Sequence, residues 1–382
     1  MTNLVEIIRL LNTDGIGPVS FYKLLKQHGS ASAALSAVAQ KKQLFSQAAA
    51  EDEIARADKL GAKIIAYTDD IYPENLRQLN DAPPLLYALG NPALLQYPVA
   101  ISIVGARNAT IGGRKMASRI AYDLTEQEVL VVSGMALGID GAAHKGALYA
   151  KHQQGATIAV LGTGVDEIYP PENRDLYEQI RHQGLIISEF SLSAKAQVSN
   201  FPRRNRIIAA LSAGTLVVEA GLHSGSLITA KSALEQGKEI FAVPGSPLEA
   251  RSAGPNRLIK DGAILTENAE DILNTLSITQ NRQIKNYQLE LTGLDKPQNN
   301  VNISAQKEIA PQADNSPAKP STPRSTAAKV PLLSLISYEG VDTDELLRNS
   351  GLEQADFFMQ ILDLEFAGKI VRLAGNKIGR VK

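Results

Sequence analysis

The stretch that decides the fold of this chain is ISIVGARNATIGGRKMASRIAYDLTEQEVLVVSGMALGIDGAAH, at Ile101–His144. It begins with an apolar run, Ile101–Val104, continues through a helix-like segment over 112–125, and reaches a second apolar run at Val129–Val132. Short apolar runs bounded by glycine turns are typical of buried parallel strands, so the stretch predicts a β-α-β unit. Ligands of such units bind where strands end and helices begin, because helix N-termini present unpaired N–H groups to anions.

The loops that follow these two strands are the first candidate binding segments. The first loop contains Arg107, for which we predict a phosphate contact, and its glycines do not follow the GxGxxG spacing of a dinucleotide site. In the second loop, Ser133, Gly134 and Gly138 allow backbone and hydroxyl groups to approach a phosphate closely. Asp140, near the start of the next helix, is either an N-cap or a ligand group, and capping is the interpretation we favour.

From residue 99 onward, apolar runs alternate with helix-like segments. The six runs are Ile101–Val104, Val129–Val132, Thr157–Val160, Leu185–Ser188, Thr215–Val218 and Glu239–Val243. This alternation predicts an α/β protein with a doubly wound parallel sheet, in which right-handed crossovers place the loops after the strands on one edge. We therefore expect the binding chemistry at that edge. Two earlier runs, Lys63–Tyr67 and Leu85–Leu89, predict further strands.

Residues 1–60 are predicted to form a small helical module that precedes this α/β part. Apolar residues at helical spacing from Leu4 to Leu11 are followed by a glycine- and proline-containing break at Thr13–Pro18. A Gly-Ile-Gly sequence between two short amphipathic helices is typical of a helix-hairpin-helix in a sterile-alpha-motif-like (SAM-like) module, whose backbone N–H groups can hold a DNA phosphate. A purely structural turn explains the same pattern, and both interpretations stay open.

The composition changes after 61–278, the range that we assign to the α/β domain. Residues 279–329 are rich in Asn, Gln, Pro, Ser, Thr and Lys and predict a flexible linker. Residues 330–382 predict a winged-helix module, with three helices, the first at Leu332–Ile336, and a hairpin. The third helix, Gln354–Phe366, is acidic, so we expect it to contact protein rather than duplex DNA.

Composition and charge bound the function classes. A chain of 382 residues that is 44% hydrophobic and 21% charged fits a soluble protein of two or three domains. Zero cysteines exclude disulfides, thiolate nucleophiles and cysteine metal sites, and fit a reducing compartment. Charges at Glu6 and Arg9 and the absence of a long apolar run argue against a signal peptide and a membrane span, so the predicted location is cytoplasmic. A net charge of −1 means that binding to nucleic acid requires a local basic patch.

Such a patch lies at 195–206, between the fourth and fifth of the six runs. Its candidate DNA-binding residues are Lys195, Phe201, Arg203, Arg204, Asn205 and Arg206, with no acidic residue among them. Basic side chains neutralise phosphates and an aromatic ring stacks a base without reading its identity, so the patch predicts a sequence-tolerant single-strand groove. The alternative is a solvated basic face with Phe201 in the core. Arg206, just inside a helix expected at 207–211, is also placed for an ion pair with Glu219 or Asp140, which makes Arg203 and Arg204 the better phosphate candidates.

A Gly/Ser-rich loop follows the run Thr215–Val218. Ser224, Gly225 and Ser226 offer N–H and hydroxyl donors at a helix N-terminus, with Lys231 further along the helix, which suits a phosphate. The five histidines are scattered, so we predict no metal site, and no cofactor motif is present.

Four blocks of sequence resemble the DNA-processing protein A (DprA/Smf) family. They are SGMALGID at Ser133–Asp140, GTGVDEIYPPEN at Gly162–Asn173, FPRRNRIIAALS at Phe201–Ser212 and VVEAGLHSGSLITA at Val217–Ala230. The resemblance implies an extended Rossmann-like domain that binds single-stranded DNA, forms a homodimer and hands the strand to the RecA recombinase during natural transformation. Members of the family can carry a lysine three positions before the phenylalanine, where this chain has Val198.

Three function classes stay open from the residues alone. The first is a single-stranded DNA-binding recombination mediator without catalysis, which the basic patch and the family blocks favour. The second is a nucleotide-processing enzyme resembling the phosphoribohydrolases of the lysine-decarboxylase-like group, whose PGGxGTxxE motif is incomplete at Ser212–Glu219. The third is a protein-interaction adaptor that acts through the two flanking modules. We predict the first, with no catalytic residues.

Overall fold

The computed structural model describes residues 4–150, 157–276, 332–337, 340–352, 354–366, 369–373 and 377–381. The chain divides into two units, Met1–Gln283 and Ile284–Lys382. The predicted linker at 279–329 lies outside the described residues. Within the described ranges, no helix combines the length and the apolar character that a membrane span requires.

The first unit contains twelve described helices and nine described strands. The helices are α1 (Leu4–Leu11), α2 (Pro18–His28), α3 (Ala31–Ala39), α4 (Gln47–Leu60), α5 (Glu74–Arg77), α6 (Ile111–Glu126), α7 (Ile139–Tyr149), α8 (Arg174–Gln183), α9 (Asn200–Ala210), α10 (Gly225–Glu235), α11 (Ala253–Lys260) and α12 (269–276). The strands are β1 (Ala62–Ala66), β2 (Leu85–Gly90), β3 (Ala100–Val104), β4 (Leu130–Ser133), β5 (Thr157–Val160), β6 (Leu185–Ser188), β7 (Gly214–Val217), β8 (Glu239–Ala242) and β9 (Ile264–Leu265).

These strands form one sheet in the order β1-β2-β6-β5-β4-β3-β7-β8-β9. Every neighbouring pair from β6 to β9 is parallel, which confirms the predicted doubly wound α/β fold. The two early strands differ, because β2 runs antiparallel to both β1 and β6, and β1 is the edge strand at this end of the sheet. The chain builds outward from β3 through β6 on one side and from β7 through β9 on the other. The topological switch point therefore lies between β3 and β7.

Helices cover both faces of the sheet. On one face, buried residues of α6 and α7, such as Ile120 and Ala143, pack against Ile101 and Ile103 of β3. On the other face, Ile207 of α9 packs in the core that contains alternate residues of the same strands. Because both faces are buried, the strands require continuous apolar runs, and these runs are the signal that located them in the sequence.

Helices α1–α4 form the predicted helical module, with the glycine break between α1 and α2. Their core contains Ile7, Ile8 and Phe21, and it also includes Ala66 of β1 and Leu85 of β2. The helical module therefore packs directly on the antiparallel end of the sheet.

The second unit has the predicted winged-helix content. It contains β10 (Val341–Asp342), α13 (Thr343–Ser350), α14 (Gln354–Phe366), β11 (Ile370–Leu373) and β12 (Lys377–Arg380), with strand order β10-β12-β11. Asp342 caps α13 by accepting hydrogen bonds from the backbone N–H groups of Asp344 and Glu345, as expected for Asp at this position. The first predicted helix is instead a 3-10 turn at Leu332–Leu335.

Candidate nucleic-acid interface

A pocket opens at the edge of the sheet where the parallel strands end. Its lining consists of Arg107, Gly134, Ala136, Leu137, Leu161, Gly162, Thr163, Tyr169, Pro170, Phe201 and Arg204. These residues come from the loops after β3, β4 and β5 and from the first turns of α9, which meet because parallel strands present their carboxyl ends on the same edge. Four residues that we predicted to bind DNA are among them: Arg107, Gly134, Phe201 and Arg204.

The ring of Phe201 forms an aromatic wall of this pocket. Its centroid lies 5.8 Å from that of Tyr169, with the two planes tilted by 39°. The guanidinium carbon of Arg107 lies 5.2 Å from the Phe201 centroid, and that of Arg204 lies 5.9 Å away. The ring is half-buried, so it is neither a fully enclosed core residue nor a surface side chain. Aromatic faces attract cations, so Phe201 helps to hold both guanidinium groups at the pocket.

Arg204 forms the floor of the pocket and is only 5% exposed. Its Nη1 donates to the carbonyl oxygens of Gly134 and Val160, the second at 2.7 Å, and its Nε donates to Oδ1 of Asn205 at 3.1 Å. A Cβ atom on Gly134 would overlap the guanidinium, so a larger residue there would displace the Arg204 side chain. We expected Arg204 to be an exposed phosphate contact. The structure instead places its charge beneath the pocket, where it joins the ends of β4 and β5.

The different placement of Arg203 and Arg204 follows from where α9 begins. We expected a helix only from residue 207, whereas α9 begins at Asn200 and includes the basic residues. Successive residues of an α-helix point about 100° apart, so one face of α9 cannot present all three arginines. Arg203 points outward, and its side chain is 48% exposed.

Arg206 lies on a third side of α9 and forms ion pairs with acidic residues outside the pocket. Its Nη2 lies 2.6 Å from Oε2 of Glu189, and its Nε lies 3.0 Å from Oδ2 of Asp81. Arg206 was a candidate DNA-binding residue with an ion pair as the alternative; the structure shows an ion pair, with Glu189 and Asp81 in place of Glu219 or Asp140. The sequence does not show which acidic residues the fold brings close to Arg206, so it could not identify Glu189 and Asp81 as its partners.

Asp140 lies buried beside Arg204, in the first turn of α7. Burial raises the pKa of this carboxyl group, and the neighbouring Arg204 guanidinium opposes that rise. Its Oδ2 accepts a hydrogen bond from the backbone N–H of Ala136 at 3.4 Å, while the N-cap position itself is Gly138. Asp140 therefore stabilises the loop between β4 and α7 from beneath, a role close to the capping interpretation.

His144 lies one helical turn further along α7 and is fully buried. Burial lowers its pKa to about 3, and the positive charge of Arg204 acts in the same direction. Its Nδ1 lies 2.8 Å from Oγ1 of Thr157, which itself donates to the carbonyl of Val131, so the hydrogen-bond network assigns the proton to Nδ1. Its Nε2 has no hydrogen-bond partner among the described residues. The interior below the pocket thus holds a histidine that must stay neutral.

The loop between β4 and α7 fits closely against the loop after β3. Gly138 has a φ of +79°, and a Cβ atom there would overlap the backbone carbonyls of Ala106 and Arg107. Ser133 is buried, and its hydroxyl donates to the carbonyl of Ile103 at 2.6 Å. The predicted phosphate contact from the Ser133 hydroxyl is therefore not available, because this group holds β4 against β3.

The other predicted site residues lie outside the pocket lining. Lys195 pairs with Glu167 at 2.5 Å, and Lys231 lies 3.8 Å from Glu235 on the same helix. In the Gly/Ser-rich loop, Ser224 caps α10 by accepting from the backbone N–H of Ser226, and the carbonyl of Gly225 accepts from Asn205. These contacts attach the loop to α9 rather than placing it in the pocket.

Glu219 occupies the switch point between β3 and β7, where doubly wound folds usually bind a ligand. Its Oε2 accepts from the backbone N–H of Thr110 at 2.9 Å, and its Oε1 accepts from the Thr110 hydroxyl at 2.5 Å. That hydroxyl in turn accepts from the backbone N–H of Gly113 and caps α6. The N-terminus of α6 thus holds a carboxylate of the chain itself. These hydrogen bonds give Glu219 a structural role at the start of α6.

Sequence reasoning missed the contribution of the loop after β5. Tyr169, Gly162 and Thr163 line the pocket, yet they entered the sequence analysis only as part of a family block. The signal that could have located them was their position just after a predicted buried strand.

Comparison with known proteins places the chain among its relatives. The family model for "DNA recombination-mediator protein A" matches residues 63–277, the "DprA-like N-terminal HHH domain" matches 2–56, and the "DprA winged helix domain" matches 316–376. The chain is 43% identical over 205 residues to DNA processing protein DprA of Streptococcus pneumoniae, covering 54% of this chain and 71% of that protein. It is 34% identical over 336 residues to protein Smf of Escherichia coli, covering 87% of this chain and 82% of that protein.

Two solved structures are similar to this one. The X-ray structure of DNA processing protein A from Streptococcus pneumoniae has a TM-score of 0.62 and 33% identity, and the match covers 72% of this chain and 98% of that chain. DNA processing protein A from Helicobacter pylori, described for its "unique single-stranded DNA binding mode", has a TM-score of 0.52 and 30% identity, with 57% and 96% covered.

The fold and the pocket define a Rossmann-like α/β protein with an N-terminal helical domain and a winged helix. The chain belongs to the DNA recombination-mediator protein A family, the DprA/Smf family that its sequence blocks resemble.

Proposed function

We propose that this protein is a single-stranded DNA-binding recombination mediator that acts without catalysis. The observation that carries the proposal is the pocket in which Phe201 and Tyr169 lie beside Arg107 at the carboxyl edge of the sheet. An aromatic surface next to a cation is the combination that single-strand binders use, because bases stack on the ring while the cation neutralises the backbone. The single-stranded DNA binding named for the Helicobacter pylori relative supports the same reading.

The pocket residues divide the work of binding. Arg107 is exposed and contacts a phosphate, while Phe201 and Tyr169 hold a base by stacking. Arg204 contributes from below by fixing the carbonyl groups of Gly134 and Val160, so that the loop between β4 and α7 keeps its shape. None of these contacts reads the identity of a base, so we expect binding that tolerates many sequences.

The direct test is a titration of labelled oligonucleotides with the full chain and with Phe201→Ala. If Phe201 stacks a base, the variant loses on the order of 1–3 kcal/mol of binding free energy and keeps nearly the same dependence on salt. Tyr149→Ala is a matched control, because Tyr149 is an exposed aromatic residue at the far end of α7. Its removal should leave binding unchanged.

A thermal melt of Phe201→Ala separates stacking from a packing role. A melting temperature close to that of the unaltered chain, with weaker binding, supports stacking. A collapse of about 3–5 kcal/mol in folding stability would instead make Phe201 a core residue. Binding that is identical in Phe201→Ala, Tyr149→Ala and the unaltered chain would remove the pocket from the interface.

The finer proposal is that the protein acts as a homodimer in the cytoplasm, protects incoming DNA and loads RecA onto it during natural transformation. Sedimentation of the full chain tests the dimer. A strand-exchange assay, in which RecA must displace single-strand-binding protein, tests the loading. Faster exchange with the unaltered chain than with Phe201→Ala supports this role, and equal rates contradict it.

We assign the winged helix to protein contact, so a chain ending near Ile278 should keep most of its single-strand affinity.

A further inference from the structure

A second cavity lies between the helical module and the end of β6. Gly17 and Pro18 line one side of it, Glu189, Phe190 and Arg203 line the other, and we call it the hairpin groove. Its volume is about 320 Å³, against about 70 Å³ for the pocket at Phe201. All residues that line the groove belong to the first unit, and none of them lines the pocket at Phe201.

One wall of the hairpin groove is the N-terminus of α2. Gly17 is the N-cap residue, and within the described residues no side chain makes the capping hydrogen bond there. The first turn of this 11-residue helix also contains no acidic residue. Pro18, the first helical residue, has no N–H, so the N–H groups of Val19 and Ser20 are the ones that lack partners inside the helix and carry partial positive charge, which favours an anion at this wall.

The opposite wall presents a cation on an aromatic ring. The guanidinium carbon of Arg203 lies 4.9 Å from the centroid of Phe190, and the side chain is 48% exposed. An arginine stacked on a ring keeps its outer face for a ligand, while one of the Arg203 donors, Nη2, lies 3.4 Å from Oε2 of Glu189. A phosphate between this guanidinium and the α2 N-terminus would meet positive charge from both sides.

Glu189 provides an independent sign that the groove takes a ligand with hydrogen-bond donors. Its side chain is 2% exposed, and its Oε2 pairs with Arg206 at 2.6 Å and lies 3.4 Å from Arg203. Its Oε1 has no hydrogen-bond partner among the described residues. A buried acceptor left without a donor is costly, so a ligand that donates to it gains affinity. The edges of nucleobases carry such amino and imino donors.

The hairpin groove is also connected to the pocket through α9. Phe201 lines the pocket and Arg203, two residues later in the same helix, lines the groove. We propose that the hairpin groove is a second subsite for the same DNA strand, with a phosphate between the α2 N-terminus and Arg203 and a base against Phe190 beside Glu189. This inference rests on the proposed single-strand binding and extends it to the helical module.

Gly17 offers a substitution that tests this subsite without disturbing the fold. Its φ is −101°, which any residue adopts, and a Cβ atom there would meet nothing within 4 Å. Asp and Asn are both favoured N-caps, so Gly17→Asp and Gly17→Asn should each keep or raise the melting temperature. Only Gly17→Asp places a negative charge where the phosphate is proposed to bind.

The experiment is a binding titration with oligo-dC of increasing length, for the full chain, Gly17→Asp, Gly17→Asn and Arg203→Gln. We first consider the shortest oligonucleotides whose affinity Phe201→Ala lowers. These occupy only the pocket, so we expect none of the other three variants to change their affinity. For longer ones, Gly17→Asp and Arg203→Gln should weaken binding roughly five-fold and lower the salt slope by about 0.7, with Gly17→Asn unchanged.

Equal affinities of the full chain, Gly17→Asp and Arg203→Gln at every length would overturn the second subsite and leave the pocket standing. The same holds if Gly17→Asn weakens binding as much as Gly17→Asp, because the loss would then not depend on charge. If the full chain binds no oligonucleotide of any length, both this inference and the proposed function fail.

Discussion

Two strand-to-helix connections of the same sheet have been put to opposite uses. After β3, the N-terminus of α6 is closed by Thr110 and by the carboxylate of Glu219 from across the switch point. After β4, the N-terminus of α7 begins at Gly138, next to a pocket lined with aromatic and basic side chains. One connection holds a carboxylate of the chain itself at its helix N-terminus, and the other lies at a cavity that can receive a ligand.

The difference shows that the switch-point rule locates an edge rather than a site. The rule favours the crevice between β3 and β7, and that crevice contains Glu219. The pocket instead lies at the ends of β3, β4 and β5, on the other side of β3 from this crevice. There Arg204 binds the carbonyl groups of Gly134 and Val160 from below. We expect substitutions at the closed connection, apart from Arg107, to change stability and substitutions at the open one to change binding, with Arg204 affecting both.

The largest effect should come from Arg204→Met. The substitution removes the donor to the carbonyls of Gly134 and Val160 and the positive charge beside Asp140, so the free energy of unfolding should fall by about 3–5 kcal/mol. Arg203→Met is the matched control on the preceding position of α9, and as a half-exposed residue it should cost less than about 1 kcal/mol. Urea unfolding of both variants measures this. Similar losses for the two would mean that burial does not distinguish these arginines.

The next effect is the acid sensitivity that His144 adds beneath the open connection. Its folded pKa of about 3 is below the ordinary 6.5, so the unfolded chain takes up the proton first as the pH falls. The contribution to stability is therefore complete above about pH 6.5 and is lost as the pH falls toward 3, with a loss of about 2 kcal/mol at pH 5. The free energies of unfolding of the unaltered chain and of His144→Gln are compared at pH 7 and pH 5. The difference reports the contribution of His144, because Asp140 is present in both proteins. Parallel pH profiles would contradict it.

A smaller effect is expected at the closed connection. Thr110→Ala removes both the cap of α6 and a donor to Glu219, so the free energy of unfolding should fall by about 1–2 kcal/mol. Thr110→Ser keeps the hydroxyl and should stay close to the unaltered chain. Single-strand affinity should be the same in all three proteins. A loss of affinity in Thr110→Ala at unchanged fold would show that the closed connection also touches DNA.

The smallest effect should come from Arg107→Ala, the residue of the β3 connection that reaches the pocket. Loss of one phosphate contact should lower the slope of log affinity against log salt by about 0.7. Arg119→Ala is the control, since Arg119 lies on α6, pairs with Asp123 at 2.7 Å and is not part of the pocket. An equal change in slope for the two variants would mean that the slope reports net charge rather than a contact at Arg107.

The strands were predictable from the sequence because their physics is local. A strand buried on both faces must be largely apolar, so runs such as Ile101–Val104 and Leu185–Ser188 can be recognised as strands in the sequence. Strand direction is less local, and the apolar run Leu85–Leu89 carries no sign that β2 is antiparallel. The helical start of α9 was missed for a related reason. The basic residues suggested an exposed segment, whereas they lie in a helix that buries Arg204.

The site was predictable in its chemistry and only partly in its membership. The sequence placed Arg107 after the first strand and Phe201 in the basic patch, and the fold brings the two side chains together. It could not say that Arg204 would turn inward or that Arg206 would find Glu189 and Asp81, because both outcomes depend on tertiary distances. Tyr169 was missed since an aromatic residue in a loop has no pattern of its own.

The core shared by the helical module and the sheet makes the first unit difficult to divide. Tyr67, just after β1, has its ring 5.8 Å from Phe21 and 5.5 Å from Tyr22 of α2, in edge-to-face arrangements. A chain that began at residue 61 would expose these surfaces of Ala66, Leu85 and Tyr67 to water. We therefore expect the helical module to unfold together with this end of the sheet. A mutation in α1 or α2 can accordingly lower the amount of folded protein in a cell without touching a nucleotide.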